Sequence, residues 1–238
     1  MTAPDSIDKT AIRHAATVIV LRDRDTDPYV LMGQRGATAA FMPEKFVFPG
    51  GALDPGDAGI PLATPLPPVC AQRLREDCPG DLAHALAAAA IRELWEETGL
   101  VLGTPGEWSG QVPPDWQGFA ATGHLPNAHP LQFVFRAITP PGRPRRFDAR
   151  FFLVDAGEVA SDLDDFSAAC EELSHLQWVP LVKARHDYDL PFITEVVLAE
   201  VEARAHDPAP PASVPFFRND DEASLFVRLR GRAPRSDE

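Results

Sequence analysis

The stretch "DLAHALAAAAIRELWEETG", Asp81 to Gly99, constrains the fold more than any other part of this chain. Its alanine-rich turns favour helix, Asp81 is placed to cap the N-terminus, and Gly99 stands where a left-handed residue ends a helix. At 100° per residue, Glu93, Glu96 and Glu97 fall within about 100° of arc, with Ile91 and Trp95 on the other side. The spacing therefore predicts a helix with one apolar and one anionic face. Glu93 and Glu97 are a like-charged i,i+4 pair, which costs a few tenths of a kcal/mol on an open helix and more where water is excluded. Two readings remain open. One is a solvated acidic face, with Arg92 forming an ordinary surface pair with Glu96. The other is a divalent-cation site, because hard cations select carboxylate, carbonyl and water oxygens.

Around this helix the chain reads mostly as strands. "AATVIVLR" (15–22) and "YVLMGQR" (29–35) flank an "RDTDP" turn and predict an antiparallel pair. "FVFPGG" (46–51) predicts a third strand, broken at Pro49 and two glycines. Six prolines between Pro55 and Pro79 exclude a helix interior or central strand, so residues 58–80 read as an inserted loop. "LQFVFRAIT" (131–139), "ARFFLVDA" (149–156), "LSHLQWVPL" (173–181) and "SLFVRLRG" (224–231) read as further strands. Pro191 is placed for the first turn of a second helix through residue 206. Together these elements predict the α/β (α+β) class, with helices on the faces of a mixed sheet, as one domain over 1–238.

Charge narrows the function. A formal net charge of −13 argues against a nucleic-acid partner, which would need a dominant basic stripe. The N-terminus lacks the apolar core of a signal peptide, and no apolar run is long enough to cross a bilayer, so a cytoplasmic location with no membrane partner is expected. Cys70, Cys78 and Cys170 are odd in number and not closely paired, and read as free thiols. His124 and His129 read as surface residues.

The glycine-rich segment "GGALDPGD" (50–57) and the run "REL.EETGL" (92–100) decide between the readings of the acidic face. Together they resemble the signature of the Nudix hydrolase family: Gly, five residues, Glu, seven residues, then Arg-Glu-aliphatic-x-Glu-Glu-x-Gly-aliphatic. Arg92, Glu93, Leu94, Glu96, Glu97, Gly99 and Leu100 match its second half without a gap. From Gly51, five residues lead to Asp57, which stands where the family has Glu. Residues 58 to 91, 34 positions, then stand where the family has seven. The excess coincides with the proline-rich stretch. With an insertion inside the motif, the chain looks like the branch that includes peroxisomal coenzyme A diphosphatases. A related coenzyme A signature wants two arginines and a glycine; Arg35 holds one position, while Ala40 and Glu44 occupy the others.

The resemblance implies an α/β/α sandwich and hydrolysis of a diphosphate linked to a nucleoside. It makes Mg²⁺ or Mn²⁺ the cofactor, with Glu96, Glu97 and the Gly51 carbonyl as ligands, and Glu93 as ligand or general base. Arg92 would orient the carboxylates, and Asp57 would take the place of the family's Glu. A further acidic ligand from a distant loop points to Glu171 or Glu172, preferably Glu172, against the alternative of solvated loop charges. In so acidic a chain Arg35, Arg146 and Arg150 are candidates for substrate phosphate, whereas Arg143 and Arg145 read equally well as solvated. Trp95, opposite the acidic stripe, reads as core. The expected substrate is coenzyme A or acyl-coenzyme A first. ADP-ribose, NADH or a dinucleoside polyphosphate comes second, and the rival of another class is a silent nucleotide-binding module. Homodimers are common in the family.

Overall fold

In the computed structural model, the described residues are 11–37, 39, 42–219 and 224–231. The framework is a nine-stranded mixed sheet. Its path runs β11 (Ser224–Leu229), β10 (Val214–Asn219), β7 (Gln132–Ile138), β8 (Arg146–Asp155), β1 (Ile12–Arg22), β2 (Tyr29–Arg35), β3 (Phe46–Val47). β1 pairs in parallel with β8, and β7 with β10; the other pairings are antiparallel. β4 (Gly50–Ala52) pairs with β1, and β9 (Leu173–Pro180) pairs with β2. β5 (Gly103–Pro105) and β6 (His124–Pro126) make a separate small sheet.

The central strands are buried on both sides, and their alternation sorts side chains between two cores. Ala16, Val18 and Val20 of β1 face the layer of α1 (Pro68–Arg75) and α2 (Ala83–Thr98). Ile19 and Leu21 face α4 (Leu181–Asp187) and α5 (Phe192–Arg204). Period-two alternation thus builds an α/β/α sandwich, as expected. No helix among the described residues is long and apolar enough to cross a membrane.

Three readings of the sequence need correction. The inserted stretch is not all loop: Pro67 and Pro68 sit at the very start of α1, where a missing N–H costs nothing, and the turns that follow contain no proline. Cys70 and Leu74 carry that helix into the core. β10 and α4 were not anticipated, and β8 starts at Arg146, three residues earlier than its apolar run. Lastly, α2 is not half solvated. Its carboxylates Glu93 and Glu97 are buried while Trp95 and Glu96 are the more open positions, because β4 and the turn after it cover the acidic face.

The caps of α2 are close to expectation. Gly99 adopts φ 76° in the left-handed region, and its N–H bonds the Trp95 carbonyl. Asp81 accepts from the Ala83 N–H at 3.2 Å, although the helix boundary falls at Leu82. All three cysteines are free thiols.

Candidate active site

β2 pairs with only the last two residues of β1, which leaves Ala15 to Thr17 to β4. That register presses Gly50 and Gly51 against the acidic face of α2. The Gly50 N–H donates to Glu97 Oε2 at 2.7 Å. A Cβ on Gly51 would collide with the Glu93 carboxylate, so glycine here is what lets that side chain rest against the main chain. Two carboxylates one helical turn apart therefore converge on one glycine backbone.

Arg92 organises the site from below. Its Nε lies 3.0 Å from Asp57 Oδ1, and one terminal nitrogen donates to Asp57 Oδ2 at 3.2 Å and to the Ala52 carbonyl at 3.1 Å. The other donates to Glu93 Oε1 at 2.9 Å and Glu96 Oε2 at 3.0 Å. Asp57, 1% exposed, is held in turn by the Asp54 N–H at 2.7 Å. Burial works against the Arg92 charge, but Asp57, Glu93 and Glu96 outweigh it and raise its pKa above the ordinary value. Asp57 thus touches Arg92 and lies beneath the carboxylates, a geometry that positions rather than reacts.

The carboxylates above are electrostatically strained. Burial lifts Glu93 to about 7, with Glu96 and Glu172 adding to the shift and Arg92 opposing it. Burial, and then the Glu93 charge, push Glu97 well above the carboxylate range despite the Gly50 N–H. Glu96, more exposed, is raised by burial against the pull of Arg92. The Oε1 of Glu97 is buried and has no hydrogen-bond partner. An orphaned carboxylate oxygen beside a second carboxylate is the environment that a cation relieves.

The residues fit a divalent cation as an open platform. Among the described residues no three His, Cys, Asp or Glu side chains converge into a complete shell. Mg²⁺ does not need one, since it retains water and commonly takes one or two carboxylates together with substrate phosphate. Glu93 and Glu97, beside the Gly50–Gly51 main chain, are the carboxylates that would hold it, with Glu96 held to one side by Arg92.

The loop before β9 brings a distant acid to this platform. The Cys170 N–H bonds the Glu96 carbonyl at 2.7 Å, and β9 pairs Leu173 with Arg35. Arg35 consequently holds Glu172 Oε1 at 2.8 Å, and Glu172 acts electrostatically on both Glu93 and Glu97. Glu171 is exposed. Arg35 and Glu172 are therefore at the site together, while Ala40 of the coenzyme A signature lies outside the described residues.

Arg146 and Arg150 are elsewhere. Arg146 is buried and donates to the Thr139 and Asn219 carbonyls. Arg150, 0% exposed, bonds the Asp148 carbonyl at 2.7 Å, Asp148 Oδ2 at 3.0 Å and His14 Nδ1 at 2.8 Å. A charged residue between apolar strand positions did need a partner, but that partner is internal. The assignment of both arginines to substrate phosphate is corrected accordingly.

Sequence reasoning missed the main-chain donor at Gly50, for which the Gly-Gly pair was the available signal. It also missed Asp115, whose charge acts on Glu96 from the turn before α3 (Gln117–Ala121), and nothing in the sequence marked it. Trp95 does touch core, edge-on to Phe119 at 6.0 Å, but it is half-buried and also lines a cleft. His124 lines the same cleft, half-buried, with Nδ1 3.1 Å from Thr122 Oγ1.

The fold and the carboxylate helix under a glycine strand make a candidate cation site, and comparison with known proteins gives the family. No protein-family model matches the chain. A solved NUDIX hydrolase from Alicyclobacillus acidocaldarius is 30% identical, superposes with a TM-score of 0.59, and is matched over 83% of this chain and 93% of its own. Nudix hydrolase 7 of Caenorhabditis elegans is 30% identical over 179 residues, 70% of this chain and 51% of the relative. The acyl-coenzyme A diphosphatase NUDT19 of Gallus gallus is 27% identical over 53% of this chain and 48% of its own length. The chain spans about half the length of these curated relatives. It belongs to the Nudix hydrolase family.

Proposed function

We propose that this protein hydrolyses the diphosphate linkage of a nucleoside diphosphate derivative with the help of Mg²⁺ or Mn²⁺. The observation that carries the reading is the convergence of Glu93 and Glu97 on the Gly50–Gly51 main chain, with Glu97 Oε1 buried and orphaned. A catalytically silent module has no use for so strained a pair. A bound divalent ion would neutralise charge along the diphosphate and lower the pKa of the attacking water.

The chain's own residues do the positioning. Gly50 fixes one Glu97 oxygen and leaves the other for the cation. Arg92, locked by Asp57, holds Glu93 and Glu96 in place by charge-assisted hydrogen bonds. Glu93 serves as ligand or as acceptor of the proton from water. Arg35 stands at the rim as a donor to substrate phosphate, and Glu172 is the acid from a distant loop that approaches the cation.

Coenzyme A or acyl-coenzyme A is the first substrate class, supported by similarity to the chicken acyl-coenzyme A diphosphatase. The match to the coenzyme A signature at Arg35 alone keeps ADP-ribose, NADH and dinucleoside polyphosphates as the second class. The test is turnover of all four with Mg²⁺ and Mn²⁺, with products identified by mass spectrometry. Release of a nucleoside monophosphate or of 3′,5′-ADP is expected, and absence of turnover across the panel refutes the reading.

A further inference from the structure

A cleft of about 240 Å³ opens at the C-terminal end of α2, between the start of β6 at His124 and the segment 160–168. Its volume is below the roughly 300–1,000 Å³ of sites that enclose a whole drug-sized ligand, so it suits one end of a longer molecule. The indole of Trp95 forms part of its wall, braced by Phe119 at an interplanar angle of 85° and by the close backbone of Gly118.

The rest of the lining is more apolar than polar, with two acids set in it. Asp162 and Asp165 each have one carboxylate oxygen tied to the main chain, by the N–H groups of Asp164 at 3.0 Å and Ser167 at 2.9 Å, which fixes their direction. Ser161 and His124 add further hydrogen-bonding groups, and no Lys or Arg among the described residues lines the cleft. Such a lining disfavours phosphate and favours a neutral group that donates hydrogen bonds, with an apolar or flat portion against the indole.

The cleft shares α2 and one loop with the acidic platform. Trp95 precedes Glu96 on α2. Ala168 of the cleft lies against Gly99, and the same loop continues through Cys170, bonded to the Glu96 carbonyl, to Glu172. We propose that the cleft receives the uncharged end of the substrate, a group bearing hydroxyl or N–H donors, while the diphosphate lies at Glu93, Glu97 and Gly51. This rests on the diphosphatase reading of that platform. Two kinds of end share the chemistry: a ribonucleoside and a hydroxylated amide chain.

Metal-free protein titrated with adenosine and with pantetheine, followed by saturation-transfer NMR and calorimetry, separates them. Whichever probe matches the bound end should bind with a millimolar Kd. Ala160→Trp, made at an exposed position on the mouth, should weaken that binding at least tenfold with an unchanged urea midpoint. The paired change Asp162→Arg and Asp165→Arg should weaken it at least fivefold, and does so from the exposed surface should Ala160→Trp impair folding. Binding of neither probe, or binding untouched by both variants, overturns the proposal. Because the titration uses no metal and no turnover, its result is independent of whether the platform proves to be a diphosphatase.

Discussion

Arg92 and Asp57 form a buried, two-pronged ion pair, Nε to Oδ1 at 3.0 Å and a terminal nitrogen to Oδ2 at 3.2 Å, across the whole inserted stretch. The pair ties the turn after β4 to the middle of α2 and leaves the remaining Arg92 donors to aim two glutamates. Asp57→Ala would strand the guanidinium in a buried site, and loss of one partner of such a pair costs about 3–5 kcal/mol. Urea denaturation should show the lowered midpoint, and turnover should fall with it. Asp57→Asn, which keeps shape and one acceptor, should restore part of the midpoint.

Glu97→Gln is expected to separate stability from activity. The amide keeps an acceptor for the Gly50 N–H but removes a buried like charge beside Glu93. The metal-free variant should therefore be more stable than the parent, by about 0.5–2 kcal/mol, as is common where a functional site stores strain. The rise in Tm that Mg²⁺ gives the parent by binding the folded state should disappear along with turnover. A variant less stable than the parent, yet still stabilised by Mg²⁺, would refute the metal assignment.

Gly51→Ala should act on the same site by sterics alone. A Cβ there occupies the place of the Glu93 carboxylate, so that side chain must swing out. Calorimetry should show Mn²⁺ affinity reduced by about 10- to 100-fold, the range typical of disturbed metal sites. The neighbouring change Ala52→Gly, which adds no atoms, serves as the control.

Asp148 should govern acid stability. Burial alone would raise its pKa, but hydrogen bonds from Arg136 and His14 and the charge of Arg150 hold it far below the carboxylate range. A folded pKa below the unfolded value near 4 means that its contribution is complete above about pH 5 and is lost as pH falls through the folded value. Stability measured from pH 6 to pH 2 should therefore decline. Asp148→Asn should flatten that decline while lowering stability at pH 7 by about 3–5 kcal/mol, because two buried arginines lose their acid.

The insertion should prove part of the core. Leu74 of α1 is buried among the residues that also cover α2. Leu74→Ala is expected to cost about 2–5 kcal/mol, as buried leucine truncations do. An unchanged thermal midpoint would show that α1 is dispensable.

Sequence by itself determined the helix Asp81–Gly99, the strands whose apolar residues alternate, and the acids and glycines of the site, because each is written in spacing along one element. Gly51, Asp57, Arg92 and the three glutamates could be named from motif spacing, whereas Glu172 came only from the family resemblance, as one of two candidates with Glu171. Only the tertiary structure decided which of those charges are buried, since burial depends on what covers a face. β4 took the free edge of β1 and sealed Glu93 and Glu97, while Trp95, apolar in sequence, was left half-open at a cleft. The fate of the arginines was decided there too: Arg150 meets Asp148 two residues away on the same face of β8, where cross-strand register adds His14 and Arg136, and loop docking gave Arg35 to Glu172. A charge names a partner on another element only in three dimensions, because the energy of such a pair depends on distance and dielectric, and neither is carried by order along the chain.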